Sequence, residues 1–399
     1  MRTVRLVLST AGVAALTFTL AACAPSSWQH TPGFSGPLVI TSGGTYSGKW
    51  ESLNPDVPAV EIRTEEPVVI RDAVLRGPGH LIDATHARAR LIVRNVEGYG
   101  VNPNLPWRSP GRFLSAYRVR SVLVEHSYME KTAGVYIDTW VGDAAQRETI
   151  TVRYNTALNI EGRFSNGKGG WQSAAAMAQF VMLNNVNGIR GASISWNRVE
   201  NRPGESRVED NISLHMSSGT PDSPIVISDN LIHGAYGWPL GAHYTGGGIM
   251  LGDSCGSSAF SEAVRNTVLE TSNYGIAVSG GREQRVRDNV ILGRGALPDG
   301  TPLEAEPDAG IYLRDYCATP GRNAASVIAE GNTVGWFTVK FGKERKRVDL
   351  HNMTGTLGKN TLVGDGEGPI TAAMIEAAIA AWEKRAVASN ITVGLVAKR

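Results

Sequence analysis

Short runs in which every second residue is apolar fill the middle of the chain, and they recur in two forms. One reads apolar-x-apolar-x and is often opened by glycine: Gly134-Val135-Tyr136-Ile137-Asp138, Ile212-Ser213-Leu214-His215, Gly248-Ile249-Met250-Leu251-Gly252, Gly275-Ile276-Ala277-Val278-Ser279 and Gly310-Ile311-Tyr312-Leu313-Arg314. The other ends in an asparagine at a turn, as in Leu91-Ile92-Val93-Arg94-Asn95, Ile150-Thr151-Val152-Arg153-Tyr154-Asn155, Ile194-Ser195-Trp196-Asn197 and Ile225-Val226-Ile227-Ser228-Asp229-Asn230. A period of two predicts strands with one face buried. No helical pattern separates these runs, which argues against alternating βα units. Asn197, Asn230, Asn266, Asn289 and Asn332 are spaced by 33, 36, 23 and 43 residues. One turn of a solenoid with loops of varying length would give such spacings. Asparagine suits the corners because it tolerates left-handed backbone and can stack in ladders. One helix is predicted, from Ala372 to Arg385 after Pro369, with Thr371 as its N-cap. Met374, Ile375, Ala378, Ile379 and Trp382 form its apolar stripe, which is expected to pack on the last coil.

Across about residues 59–365 this pattern resembles the right-handed parallel β-helix (pectate-lyase-like) superfamily. The resemblance implies an all-β, right-handed parallel β-helix, a single-stranded solenoid with a C-terminal capping helix. Open coil ends expose strand edges and need covers. The expected organisation is a signal peptide (1–22), a tether (23–32), an N-terminal cap (33–58, with Trp50), the β-helix (59–365) and a C-terminal helix and capping segment (366–399).

The first residues carry an address. Arg2 and Arg5 precede an apolar stretch too short to span a membrane, and it ends in Leu20-Ala21-Ala22-Cys23. That ending resembles the bacterial lipobox, which implies cleavage before Cys23, lipidation of Cys23 and a polar tether after it. Two or more acyl chains would hold the protein stably on the cell envelope, at an outer membrane or cell surface. Export also makes a Cys255–Cys317 disulfide reasonable, with two unpaired thiols as the alternative. The formal charge of the whole chain is +2, and removing residues 1–22 takes away two arginines and no acid, leaving neutrality. A nucleic-acid partner is therefore not expected. Glycine, 46 of 399 residues, exceeds the usual ~7% and fits a fold of many short strands and turns.

In this superfamily function lies on an outward face roofed by long loops. Aligning the glycine-opened strands stacks Asp138, His215, Gly252, Ser279 and Arg314 in one outward column, with Tyr136, Ser213, Met250, Ala277 and Tyr312 in the next. Adjacent coils lie ~4.8 Å apart, close to the length of a sugar residue, so the column would span several subsites. Long loops beside it carry Lys168 and Trp171, Trp238, His243 and Tyr244, and Asp253. Aromatics beside polar groups suit sugar rings, which have apolar faces. A lyase needs a base for the proton α to a uronate carboxylate and a cation beside that carboxylate. His215, His243, Tyr244 and Arg314 are the catalytic candidates. Asp138, Lys168, Trp171, Trp238, Asp253 and Tyr312 are the substrate-binding candidates. A hydrolase needs two carboxylates at a defined separation, which Asp138 and Asp253 do not clearly supply.

The motifs that mark polygalacturonases, the Asp-Pro-His of alginate epimerases and the acidic calcium cluster of pectate lyases are absent, as are HExxH and Walker loops. No metal or cofactor is expected. Two classes of function stay open. One is an envelope-anchored, monomeric lyase or hydrolase acting on an acidic polysaccharide. The other is a non-catalytic surface β-helix that binds glycan or scaffolds the envelope.

Overall fold

The computed structural model describes residues 30–242, 244, 246–253, 257–297, 299–305, 309–316, 326–339 and 345–397. The lipobox and Cys23, His243, Cys255 and Cys317 lie outside the described residues.

Eleven short strands stack in sequence order into one parallel sheet, here the front sheet. They are Leu38–Ile40, Val60–Ile62, Ile82–Ala84, Leu114–Val119, Val135–Trp140, Val181–Asn184, Ile212–His215, Ile249–Gly252, Ile276–Val278, Ile311–Leu313 and Leu350–Asn352. Each strand pairs with the next one along the chain, so each belongs to one coil. A second sheet of 21 strands closes the coils and bends along a corner into a back face and a flank. Two strands, Pro67–Gly77 and Arg90–Gly100, run through that corner unbroken. Later coils split there into pairs such as Ile225–Ser228 and Leu231–His233. The architecture is the right-handed parallel β-helix, nearly all β with one C-terminal helix.

The core is a set of in-register apolar columns. Val135, Val181, Ile212, Ile249, Ile276 and Ile311 face inward in register and are fully buried. Burying each such side chain contributes roughly 1.5–3 kcal/mol, which only a strict period of two can deliver along every coil. The opening glycines have a separate cause. A Cβ on Gly248 would lie 2.2 Å from the carbonyl oxygen of Gly275, and one on Gly275 would lie 2.6 Å from the carbonyl oxygen of Gly310. Close approach of neighbouring coils, rather than unusual φ, demands glycine at these two positions.

The corner between back and flank divides labour between two residues. Tyr154, Trp196, Asp229, Arg265 and Asp288 hold left-handed φ of 54–59°. The asparagine that follows each is buried and forms a ladder. Asn155 Nδ2 donates to Asn197 Oδ1 and Asn197 Nδ2 to Asn230 Oδ1. Asn266, Asn289, Asn332 and Asn360 continue the series. The turn is thus made by the preceding residue and the asparagine serves the ladder. Asn95 differs, since it holds the left-handed position itself at φ 56°.

Two expectations change at the ends. Within 33–58, Leu38–Ile40, Gly44–Tyr46 and Lys49–Glu51 pair in parallel with the next coil, so this segment is itself the first coil. The helix, α1 (Ala372–Ala388, capped by Thr371), lies along the flank rather than on the last coil. Ile375 and Trp382 join Leu231, Leu269 and Leu292 from three successive coils. Trp382 Nε1 donates to the Asp229 carbonyl at 2.7 Å. Met374, expected in the buried stripe, is 38% exposed. The tail continues back toward the first coils, where Gly394 N–H donates to Tyr154 O and Val396 N–H to Asn95 Oδ1. Helix and tail form a strap across the stack. No helix among the described residues is long and apolar enough to cross a membrane.

Candidate functional site

Outward positions of the front sheet form two columns. The first runs Asp83, Ser115, Tyr136, Met182, Ser213 and Met250. The second runs Tyr117, Asp138, Asn184 and His215. Asn184 belongs to Val181–Asn184, a strand with no opening glycine, and it fills the coil between Asp138 and His215.

Asn184 ties the column together. Its Nδ2 donates to Asp138 Oδ2 at 2.8 Å and to Tyr136 OH at 3.1 Å, and its Oδ1 lies 2.6 Å from His215 Nδ1. The Asp138 carboxylate only accepts, so it fixes which end of the amide faces it. Asn184 Oδ1 must then be the acceptor from His215. Nδ1 therefore carries the hydrogen, and in the neutral ring Nε2 holds the lone pair. Asp138 also accepts from Tyr136 OH at 3.1 Å and Thr139 Oγ1 at 2.8 Å, so its carboxylate is committed to orienting its neighbours. Burial and Asp138 push the Tyr136 hydroxyl up, keeping it protonated. Asp253 follows the strand of the next coil. It is exposed by area, yet partial burial raises its carboxyl while the nearby charge of His215 pulls it down.

A cation flanks this column. Arg112 lies 5.1 Å from the Tyr136 ring centroid and donates to Ala133 O, Met177 O and Gln179 Oε1. Among the described residues it meets no carboxylate. Burial lowers it to about 10, so it stays charged at neutral pH. Its charge is solvated by carbonyl and amide oxygens and remains uncompensated, as an anion receptor requires. A buried carboxyl lies beside the next coils. Asp210 accepts from Tyr274 OH and from Gly247 N–H, and burial raises it to about 7.

The three described catalytic candidates, His215, Tyr244 and Arg314, do not share one cleft. Tyr244 is 1% exposed, and its hydroxyl lies within donating distance of Val208 O and Glu209 O, so it anchors its loop to the coil behind it. Arg314 lies three coils beyond His215, or ~14 Å at the usual coil spacing, and stacks on Tyr316 at 4.2 Å. His243 lies outside the described residues. The proposed column also breaks at Gly252, where the register shifts and pairs Gly252 with Val278 instead of Ser279. A Cβ on Gly252 would lie 2.1 Å from Gln284 Nε2 of the back face, so this position points inward. One slipped residue exchanges the two faces of a strand.

The loop aromatics are occupied as well. Arg163 lies 4.9 Å from the Trp171 ring and 4.4 Å from the Trp238 ring while paired with buried Glu161, and Trp238 Nε1 donates to Gln172 O. Both tryptophans hold that loop together rather than offer open faces. Lys168 is exposed at the tip between the paired strands Arg163–Ser165 and Trp171–Ala175. Tyr312 is buried at 3% with its hydroxyl 2.5 Å from Ser279 Oγ. Of the six substrate-binding candidates, Asp138 and Asp253 belong to the polar column and its edge, while Tyr312 continues the register of the first column through Met250 and Ala277 with its ring buried.

No family model matches the chain, and no curated protein does. Among solved structures it is similar to a mutant of the periplasmic alginate epimerase AlgG, with 12% identity, coverage of 80% of this chain and 78% of that one, and a TM-score of 0.39. The unmodified AlgG gives 12% identity over 80% and 78% of the two chains at a TM-score of 0.31. The PL6 family alginate lyase AlyGC gives 12% identity over 80% and 53% at 0.28. These likenesses are too distant to transfer the role of any residue.

Proposed function

We propose that this protein is an exported, lipid-anchored polysaccharide lyase of the cell envelope, acting on a uronate-containing glycan. The observation that carries the reading is the relay Asp138–Asn184–His215, which leaves His215 Nε2 as a free lone pair on an outward sheet face. In the neutral imidazole that atom takes the proton from the carbon α to the uronate carboxylate. The electron pair forms the new carbon–carbon double bond and the glycosidic oxygen leaves. The imidazolium so formed returns that proton to the departing oxygen, with Asp253 at the edge of the column beside it. Arg112 lies beside Tyr136, two coil spacings or ~10 Å from His215, and so holds the carboxylate of a neighbouring sugar. Proton transfer by a positioned side chain is worth typically ~10²–10⁴ in rate.

A panel of uronate polysaccharides, followed for ultraviolet absorbance of unsaturated products and for new reducing ends, tests the reading. Both signals should rise together. Reducing ends without absorbance would make the protein a hydrolase. Glycan binding without either product would make it a non-catalytic binding β-helix. Anchoring rests on Leu20-Ala21-Ala22-Cys23. Fatty-acid labelling that disappears in Cys23→Ser would support it, and unchanged labelling would remove it.

A further inference from the structure

A second recess opens at the other end of the same sheet, away from the His215 relay. It is a cleft of about 440 Å³ between the turns at 55–58 and 78–83 and the loop at 107–111, with Phe164 of the 163–175 hairpin at its rim. Trp107 is 67% exposed, the largest exposed ring among the described residues. It holds a left-handed backbone, φ 62°, which is costly for a bulky residue and persists only where the surroundings impose it. The hairpin imposes it. Trp107 N–H donates to Ser165 O at 3.1 Å, Ser165 N–H donates to Arg108 O at 2.8 Å, and the Trp107 and Phe164 rings lie 6.1 Å apart. A strained loop therefore presents an indole face to solvent over a cleft.

The polar groups in the cleft are oriented too. His80 Nδ1 accepts the Arg112 N–H at 3.0 Å, so Nε2 carries the hydrogen, and burial lowers the ring so that it stays neutral. Asp83 accepts from Thr85 N–H and Oγ1 through Oδ1. Arg108 pairs with Asp56 at the mouth. The cleft thus offers one aromatic platform, a neutral donor, a carboxylate acceptor and a balanced ion pair, with prolines 55, 58, 78 and 110 as walls. That set suits a ring with an apolar face and equatorial hydroxyls.

Asp83 at the cleft and His215 stand four coils apart in the front sheet. Four spacings come to ~19 Å, about four sugar residues. Ser115, Tyr136 and Asn184 lie along the track between them. We propose that the Trp107–His80–Asp83 cleft is a distal sugar subsite, which grips the glycan by ring stacking about four residues from the bond that is cut. It sets a minimum chain length for efficient turnover. The proposal rests on the lyase reading for its register and on the cleft alone for glycan binding.

The test uses the full chain, Trp107→Ala, Trp107→Phe and His215→Ala, with matching melting temperatures as the folding check. Turnover of uronate oligosaccharides from dimer to octamer should rise steeply once the chain can span both sites. Trp107→Ala should lower kcat/KM about tenfold on long chains and leave short ones unchanged, with Trp107→Phe in between. An equal loss at every length, or none at any, overturns the subsite. Retention in gels containing the unmodified polysaccharide separates the two claims. Loss of retention in Trp107→Ala, with His215→Ala retained like wild type, supports the cleft even if no product forms from any substrate. Undiminished retention of Trp107→Ala contradicts it.

Discussion

Two polar columns climb the coils of this molecule, and both rely on asparagine. At the back corner, Asn155 to Asn360 hand a carboxamide from coil to coil, and every amide in the middle is fully bonded. Asn230 alone donates to Asn266 Oδ1 and Ile194 O and accepts from the backbone and side chain of Asn197. On the front sheet, Asn184 makes the same kind of cross-coil bridge, but the series stops after one step at His215. The first column is closed and buried, and its yield is stability. The second ends at a ring nitrogen that faces outward, and its yield is an oriented lone pair. Termination, more than residue type, separates the two columns.

Breaking the open column at its end should have the largest effect. His215→Ala is expected to slow turnover by ~10²–10⁴, read as kcat on the best polysaccharide, with the melting temperature nearly unchanged. Breaking the closed column should do the opposite. Asn230→Ala leaves Asn197 donors unpaired in the interior and removes a donor from the Ile194 carbonyl, at a cost of ~2–4 kcal/mol in denaturant unfolding, while the folded fraction keeps its activity. Asn184→Ala frees the His215 ring to rotate and removes its tautomer preference. A ~10–100-fold loss of kcat with a displaced pH profile is expected, partly recovered in Asn184→Gln only if the longer amide still bridges. If Asn184→Ala instead destabilises the fold as Asn230→Ala does, the contrast between the columns fails.

The effect furthest from turnover concerns Asp210, which is buried like the ladder but ionisable. Its folded value, about 7, lies above the ordinary carboxylate range, so the folded state binds this proton more tightly than the unfolded one. Its stabilising contribution is complete below about pH 4 and is lost as pH rises through about 7. Asp210→Asn, which can still accept from Tyr274 OH and Gly247 N–H, should flatten that stretch of the stability–pH curve, which spans ~4 kcal/mol. An unaltered slope would show that the carboxyl ionises freely in the fold.

Much of the fold was legible in the sequence because coils repeat a period of two. The asparagines at 197, 230, 266, 289 and 332 marked the corner, and the glycine-opened strands marked the front sheet. The strand Val181–Asn184 escaped because no glycine opens it, and with it went the residue that joins Asp138 to His215. The column was misread at Gly252 because a one-residue register shift leaves no trace in apolar spacing. Arg112 carried no periodic signal, since its role depends on oxygens from two separate segments, at Ala133 and at Met177 and Gln179. Tyr244 and Trp238 looked like exposed loop aromatics, yet their loops fold back onto the coils and onto Arg163. Loop placement is tertiary information, and residue type alone does not encode it.

The central claim is that His215, held by Asn184, removes a proton from a uronate ring. Unsaturated-product absorbance measured over time for wild type and His215→Ala on the same uronate polysaccharide tests it most directly. The account predicts a steady rise for wild type and a rate at least a hundredfold lower for His215→Ala. Equal rates in the two proteins, or new reducing ends with no absorbance in either, would contradict it.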